Sequence, residues 1–345
     1  MLNALVDTVA RYVRERLVPL EHEVADTDEI PPAVVQEMRD MGLFGLTIPE
    51  QHGGLGLTME EEVQVLLALG QTSPAFRSVI GTTVGIGSQG ILMDGTPAQQ
   101  AQWLPRLASG ELMASFALTE PGAGSDAASL RTSARREGDV YIVNGSKRYI
   151  TNAPHAGIFT LMARTDPANA GAGGVSAFIV DAKSPGISFG ARDRKMGQKG
   201  AHTCDVIFDH VRVPAANLIG GREGQGFKTA MKVLDKGRIH IAAVCVAVAQ
   251  RLIRDSVAYA SEREQFGHDG RPVATEAACC KLFASEMVGR VADRAVQIFG
   301  GAGYMAEYGI ERFYRDVRLF RLYEGTSQIQ QLVIGRNLLR AHRGG

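Results

Sequence analysis

The sequence predicts a mainly α fold with a central β domain, and three observations predict it. Residues 1–112 carry apolar stripes at helical spacing. Residues 113–217 carry short apolar runs parted by Gly, Pro and Asn. Residues 218–345 return to long helical stripes. These ranges read as an N-terminal helical domain, a middle β-barrel-like domain and a C-terminal helical bundle. A chain of 345 residues has room for two or three domains.

The first stripe is Val6, Val9, Val13 and Leu17. Pro31-Pro32 opens a second helix with Val34, Met38 and Met41 on one face, ended by Gly42. The glycine-rich stretch Ile48 to Gly56 lacks the Lys-Ser/Thr ending of a phosphate loop and reads as a structural turn. Met59 to Leu69 is a third helix. Ser73-Pro74 caps a fourth, and Thr96-Pro97 caps a fifth that stops at Gly110. In the middle, Tyr141 to Lys147 carries Asn144-Gly145, a hairpin signal. Phe159 to Ala163, Val175 to Val180 and Cys204 to Val213 are further strands. Gly221 to Phe227 then leads into a helix reaching about Glu264. Its Met231, Leu234, Ile239, Ala242, Val246 and Leu252 call for burial on much of its surface. A turn at Gly267 to Pro272 precedes a helix from Ala274 to Phe299.

Lys+Arg and Asp+Glu each total 37, and zero formal charge argues against a nucleic-acid or membrane-surface partner. Cys204, Cys245, Cys279 and Cys280 form no C-x-x-C and read as reduced, packed residues. The histidines show no metal-ligand spacing, so no metal is expected. No signal peptide, transit peptide or bilayer-spanning run is visible, which predicts a cytoplasmic protein.

One stretch near the C-terminus carries a candidate base. Glu324 sits in a break between two helical patterns, Ile310 to Phe320 and Ile329 to Leu339. Gly325 supplies backbone freedom and Thr326 is a good N-cap for the run that follows. Apolar residues behind the carboxylate and a helix N-terminus ahead of it suit a general base, and on position alone they equally describe a helix-capping glutamate on a solvated turn.

Three stretches together resemble the acyl-CoA dehydrogenase family over nearly the whole chain. They are Phe116 to Asp126, Gln297 to Tyr304 with Glu311 to Asp316, and Tyr323 to Gln330. The resemblance implies FAD in a cleft between the β domain and the C-terminal helices. Phe116, Leu118 and Thr119 would line the flavin ring, with Tyr149 and Thr151 where many members carry Trp-Ile-Thr. Ser125 would contact the cofactor or the CoA arm. Arg263, Gln265 and Phe266 match a trio that reaches the FAD of a neighbouring subunit. Gln297 and Gly301 match cross-subunit contacts, which implies a homotetramer or homodimer. Thr326 and Gln328 match contacts near the pyrophosphate. Leu234, Asp235, Arg238, Tyr323 and Gly325 fall at substrate positions, Asp235 and Arg238 near the CoA arm.

Glu324 matches the catalytic base. Some branches carry that base at the position of Gly237, where this chain has no competing carboxylate. The implied reaction is FAD-dependent α,β-dehydrogenation of an acyl-CoA thioester to a trans-2-enoyl-CoA. An electron-transferring flavoprotein would be the acceptor. An acyl-CoA oxidase of the same fold, or a non-catalytic relative, are the alternatives.

One departure is large. Between the Arg-x-Gln-Phe-Gly trio and Gly270 the family has a further long helix, and here only His268 and Asp269 stand there. The bundle should therefore lack one helix of roughly 50 Å at the standard rise.

Overall fold

The computed structural model describes residues 2–262 and 274–343. It divides into two units, residues 1–261 and 262–345.

The first unit opens with helices, because its apolar residues recur every three to four positions. They are α1 (Leu2–Tyr12), α2 (Glu21–Thr27), α3 (Pro32–Asp40), α4 (Met59–Leu69), α5 (Pro74–Thr82), α6 (Gln89–Asp94) and α7 (Pro97–Ala108). Val9, Val13 and Leu17 are buried along the first stripe. Gly42 takes φ 71° after α3. Thr58 closes a capping box with Glu61 at the start of α4, and Thr96 does the same with Gln99 at α7. The Ile48 to Gly56 stretch is a packed turn in which Leu55 and Leu57 donate backbone hydrogen bonds to Gly45 and Leu46.

The middle segment forms one mixed seven-stranded sheet from β1 (Ala114–Ala117), β2 (Ser133–Glu137), β3 (Val140–Thr151), β4 (Ile158–Arg164), β5 (Val175–Asp181), β6 (Ile187–Phe189) and β7 (Thr203–Pro214). Strand order is β1-β4-β2-β3-β7-β6, with β5 also paired to β4. β4 runs parallel to β1 and β2 and antiparallel to β5. Tyr141, Phe159, Phe178 and Phe208 fill the inner face.

The Asn-Gly hairpin expectation is corrected. Asn144 and Gly145 lie inside the single strand β3, and the hairpin turn is Gly138-Asp139, where Glu137 pairs with Val140. Gly145 sits at a break in the β3–β7 register and lets β3 pass close to Thr132. A Cβ there would lie 2.4 Å from Thr132 Oγ1. Packing against the neighbouring strand decides this glycine, and the turn preference of the dipeptide does not.

Helix α8 (Gly226–Glu262) completes the first unit. Gly226 makes its entry possible, since a Cβ there would lie 2.2 Å from the Ser176 carbonyl carbon. The expected burial of α8 holds on one face only. Val233, His240, Val244 and Ala247 are buried, whereas Ile239, Val246 and Leu252 are exposed. The second unit holds α9 (Ala274–Phe299), α10 (Ile310–Arg318) and α11 (Ser327–Arg343). α11 meets α9 through polar anchors, Ser327 Oγ to Glu286 Oε1 at 2.8 Å and Asn337 Nδ2 to Thr275 Oγ1 at 2.9 Å. Its apolar stripe of Ile329, Leu332 and Leu339 is exposed. Cys204 is buried, but Cys245, Cys279 and Cys280 are exposed and not packed as expected. Among the described residues, no helix is long and apolar enough to cross a membrane.

Candidate active site

In the first unit, β1, the loop after it, the end of β3 and the start of α8 enclose a cleft of about 500 Å³. Phe116, Leu118, Thr119, Ser125, Tyr149, Thr151, Leu234 and Arg238 all line it. Eight residues read from separate parts of the chain thus meet at one space. Asp235 is one step away along α8, and Arg238 donates to its carboxylate. Both side chains are exposed, so the pair is a solvated one that a ligand could enter.

Three local devices hold the cleft wall. The first is a buried ion pair. Lys147 Nζ donates to Leu118 O at 3.0 Å and to Glu120 Oε1 at 2.8 Å. Glu120 also accepts from the backbone N–H groups of Arg131 and Thr132. This closes the 118–132 loop on itself and fixes where Thr119 and Ser125 stand. Burial pushes the Glu120 carboxyl up, but Lys147 and those N–H donors outweigh it and hold it below its ordinary value. Burial pulls the Lys147 ammonium down.

The second device is a bulge. The β3–β7 register breaks between Lys147 and Ile150, and Tyr149 inside that break has φ 59°. A left-handed tyrosine in a strand is costly and is kept where surrounding structure enforces it. Here it turns the ring out of the sheet toward the cleft, 58% exposed, with the Arg148 guanidinium 4.9 Å from its centroid. The third device is Asn152, whose Nδ2 donates to Ser78 O at 2.7 Å and Thr82 Oγ1 at 2.9 Å. It ties the end of β3 to α5 beside Thr151.

A second cavity of about 520 Å³ shares Thr82, Ile86, Thr151, Leu234 and Arg238 with the first and extends between α5 and α8. Its wall contains Gly237, and also Arg77 and Gln198, which sequence reasoning passed over. Behind it lie Glu62, Lys236 and His240. Lys236 Nζ is 3.7 Å from Glu62 Oε2 and donates to Thr47 Oγ1 and Gln89 Oε1 at 3.0 Å each. Burial raises the Glu62 carboxyl and lowers the Lys236 ammonium, each partly offset by the other's charge. The only signal in the sequence was basic residues set singly among apolar ones in α5 and α8.

Glu324 belongs to the second unit and is described there by itself. It has φ 52° and Gly325 φ 86°, two successive left-handed residues that make the break. The expected cap is present: Ile329 N donates to Thr326 Oγ1 at 3.3 Å. Gln330 Nε2 donates to Glu324 O at 2.9 Å and Gly325 O at 3.1 Å, and Lys281 Nζ donates to Gly325 O at 2.6 Å. The left-handed φ of Gly325 favours glycine there. Tyr323 stacks on Phe320 with centroids 5.7 Å apart. The Glu324 side chain is exposed within the described structure, and so is Gln328. Gln297 lies exposed in the last turn of α9, with Gly301 in the turn after it. Arg263, Gln265 and Phe266 lie outside the described residues. No cluster of His, Cys, Asp and Glu able to hold a metal occurs among the described residues.

Three family models match the chain. The acyl-CoA dehydrogenase N-terminal domain matches residues 2–111 and the middle domain residues 115–211. The C-terminal domain matches in two pieces, residues 224–269 and 267–339. An acyl-CoA dehydrogenase of Bacillus subtilis (strain 168) is 37% identical over 368 aligned residues, covering 96% of each chain. That alignment is longer than the 345-residue chain, so the relative carries residues that this chain lacks. The caffeyl-CoA reductase-Etf complex subunit CarC of Acetobacterium woodii is 36% identical and covers 98% of each chain. The structure of butyryl-CoA dehydrogenase from Megasphaera elsdenii superposes with TM-score 0.74 at 32% identity, covering 98% of each chain.

Proposed function

Because the chain belongs to the acyl-CoA dehydrogenase family, oxidoreductases that act on acyl-CoA, we propose that it is a FAD-dependent dehydrogenase converting an acyl-CoA thioester to a trans-2-enoyl-CoA. The observation that carries this reading is the cleft in which Phe116, Leu118, Thr119, Ser125, Tyr149 and Thr151 line one space with Leu234 and Arg238 of α8.

The residues fit a flavin by their chemistry. Phe116, Leu118 and Tyr149 offer apolar and aromatic surface for a flat ring, and the hydroxyls of Thr119, Ser125 and Thr151 offer donors for its polar edge. FAD bound there would supply the acceptor for a hydride from the substrate's β-carbon. Glu324 takes the proton from the α-carbon, and its backbone N–H stabilises the charge that develops on the thioester oxygen. The capped break at 324–326 holds that carboxylate in a single backbone conformation. Arg238, oriented by Asp235, meets the CoA arm. Arg263, Gln265 and Phe266, with Gln297 and Gly301, serve the FAD of a neighbouring subunit in a homodimer or homotetramer, and Thr326 and Gln328 meet the pyrophosphate. An electron-transferring flavoprotein takes the electrons away.

A second reading is the reverse reaction, reduction of an enoyl-CoA, and the caffeyl-CoA reductase among the relatives favours it. The same residues serve, with Glu324 returning the proton. Flavin absorbance of the purified protein, followed by anaerobic bleaching with acyl-CoAs, tests the main reading. A protein without flavin that no acyl-CoA affects would overturn it. Fast reoxidation in air would point to an oxidase, and oxidation of a reduced carrier by enoyl-CoA alone would point to the reductase.

A further inference from the structure

Arg164, at the end of β4, is a cation held by main chain alone. Among the described residues its guanidinium makes four hydrogen bonds, all to backbone carbonyls. Nε donates to Leu130 O at 3.2 Å and Nη2 to Ala128 O at 2.7 Å. Nη1 donates to Asn169 O and to Gly171 O, the latter at 3.1 Å. The first two carbonyls belong to the 118–132 loop, whose Ala127 and Ala128 line the 500 Å³ cleft. The other two belong to the 165–174 turn between β4 and β5. What arginine supplies here is a planar fork of donors that reaches two loops at once.

The fold makes room for that fork. A Cβ at Gly174 would lie 2.6 Å from Arg164 Nη1. Arg164 N donates to Thr132 O at 2.7 Å, which brings the strand end against the cleft loop. Lys147 and Glu120 hold the near end of the same loop, beside Leu118, and Arg164 holds its far end.

The 165–174 turn in its turn bears on α8. Ser176 Oγ, buried in β5, is 2.7 Å from Thr165 Oγ1 and accepts from Gly224 N at 2.9 Å. A Cβ at Gly224 would lie 2.7 Å from Gly173 O, so the turn and the entry to α8 approach closely. Helix α8 begins two residues later, and its Phe227, Met231 and Leu234 line the cleft. Arg164 thus stands at the junction of two cleft walls. It grips the loop that forms one and the turn that supports the other.

We propose that Arg164 is a positioning residue for the flavin: it sets the spacing between the 118–132 loop and the first turns of α8, and with it the cofactor affinity of the cleft. This rests on the reading of the cleft as the FAD site. A site held at one geometry before binding loses less to ordering when the ligand enters.

The test titrates FAD into the apoprotein of the full chain, followed by quenching of flavin fluorescence, at a temperature where circular dichroism shows each variant folded. Arg164→Gln should weaken FAD binding by about 10-fold or more, the size of one charge-assisted hydrogen bond. Arg164→Lys keeps the charge but cannot span both loops, so it should recover melting temperature without recovering affinity. If Arg164→Gln does not fold, Arg164→Lys carries the comparison. Ser176→Ala cuts the link to α8 and leaves the Arg164 contacts in place. It should also weaken FAD binding, and the double variant should bind no more weakly than the weaker single one, because both break one linkage. A lower melting temperature with an unchanged FAD dissociation constant would make Arg164 a structural residue and overturn the proposal. Additive losses in the double variant would overturn it too. Both outcomes leave the FAD site standing, whereas a wild-type chain that binds no FAD would overturn the reading of the cleft and the proposal together.

Discussion

Lys147 Nζ lies 2.8 Å from Glu120 Oε1, with the two side chains 0% and 7% exposed, and the pair holds the loop that carries Thr119 and Ser125. A buried pair of this kind is worth little against an apolar replacement but costs much when half of it is removed. Glu120→Gln leaves a buried ammonium without its counter-charge. It should lose about 3–5 kcal/mol of stability and retain less flavin. The double replacement Glu120→Leu with Lys147→Met should recover part of the stability but not the flavin, because the Arg131 and Thr132 N–H groups then lose their acceptor. Urea midpoints and the flavin-to-protein absorbance ratio measure both. Equal flavin retention in all three proteins would show that the loop does not shape the cofactor cleft.

Glu324→Gln keeps the side-chain shape and removes the base. Since the Glu324 backbone is held by Gln330 and the Thr326 cap, the substitution should not disturb the break. Dye reduction by acyl-CoA should fall by about 10²–10⁴-fold, the contribution of a positioned base, with flavin content retained. Near wild-type turnover would move the base to another carboxylate.

Arg238→Ala removes the only charged group of α8 that lines both cavities. The loss of one charge-assisted hydrogen bond to CoA should cost roughly 1.5–3 kcal/mol and appear in KM. Asp235 then loses its partner, so Asp235→Ala should show a smaller effect of the same sign. An unchanged KM with CoA thioesters would leave Arg238 as a solvated helix residue.

His240 gives the fold an acid limit. Burial, then the charges of Arg77 and Lys236, hold its imidazole well below the usual histidine range. The folded state therefore keeps it neutral, whereas the unfolded chain protonates it near pH 6.5. Between the two pKa values the unfolded state binds more protons, so stability falls as pH drops below about 6.5. The slope from one such group approaches about 1.4 kcal/mol per pH unit. His155, also lowered by burial, adds to it. Urea titrations between pH 7 and 5 should show a shallower fall in His240→Leu than in the wild type. Parallel curves would exclude His240 as the source.

Much of this fold was legible because local signals and tertiary packing agree. The helices at Met59–Leu69 and Ala274–Phe299 end where glycines follow apolar stripes. Where they disagree, packing wins. Asn144-Gly145 reads as a turn, yet the closeness of Thr132 keeps it inside β3. The cleft residues from Phe116 to Ser125 were legible through motif resemblance. Arg77, Lys236 and His240 were not, because a single basic residue in a helix looks the same in sequence whether it faces water or a cavity. Only the packing of α5 on α8 distinguishes the two.

The last prediction concerns apolar surface. On α8, Ile239 and Leu252 are 47% and 61% exposed, and on α9, Phe283 and Ile298 are 69% and 82% exposed. Each is large enough to gain roughly 1.5–3 kcal/mol on full burial. Exposed large apolar residues on a helix favour association or aggregation where they cluster. The C-terminal family model matches in two pieces that meet at residues 267–269, and the Bacillus subtilis relative needs 368 aligned positions against 345 residues. Both observations are in keeping with the expectation that the absent positions fall between Gly267 and Gly270. Inserting a family-length amphipathic helix after Gly267 should cover part of these faces, raise the melting temperature and increase FAD occupancy. Differential scanning calorimetry, flavin absorbance and light scattering on both chains decide it. A stable oligomer of the 345-residue chain with one FAD per subunit and an unchanged melting temperature on insertion would show that the existing helices bury these faces unaided.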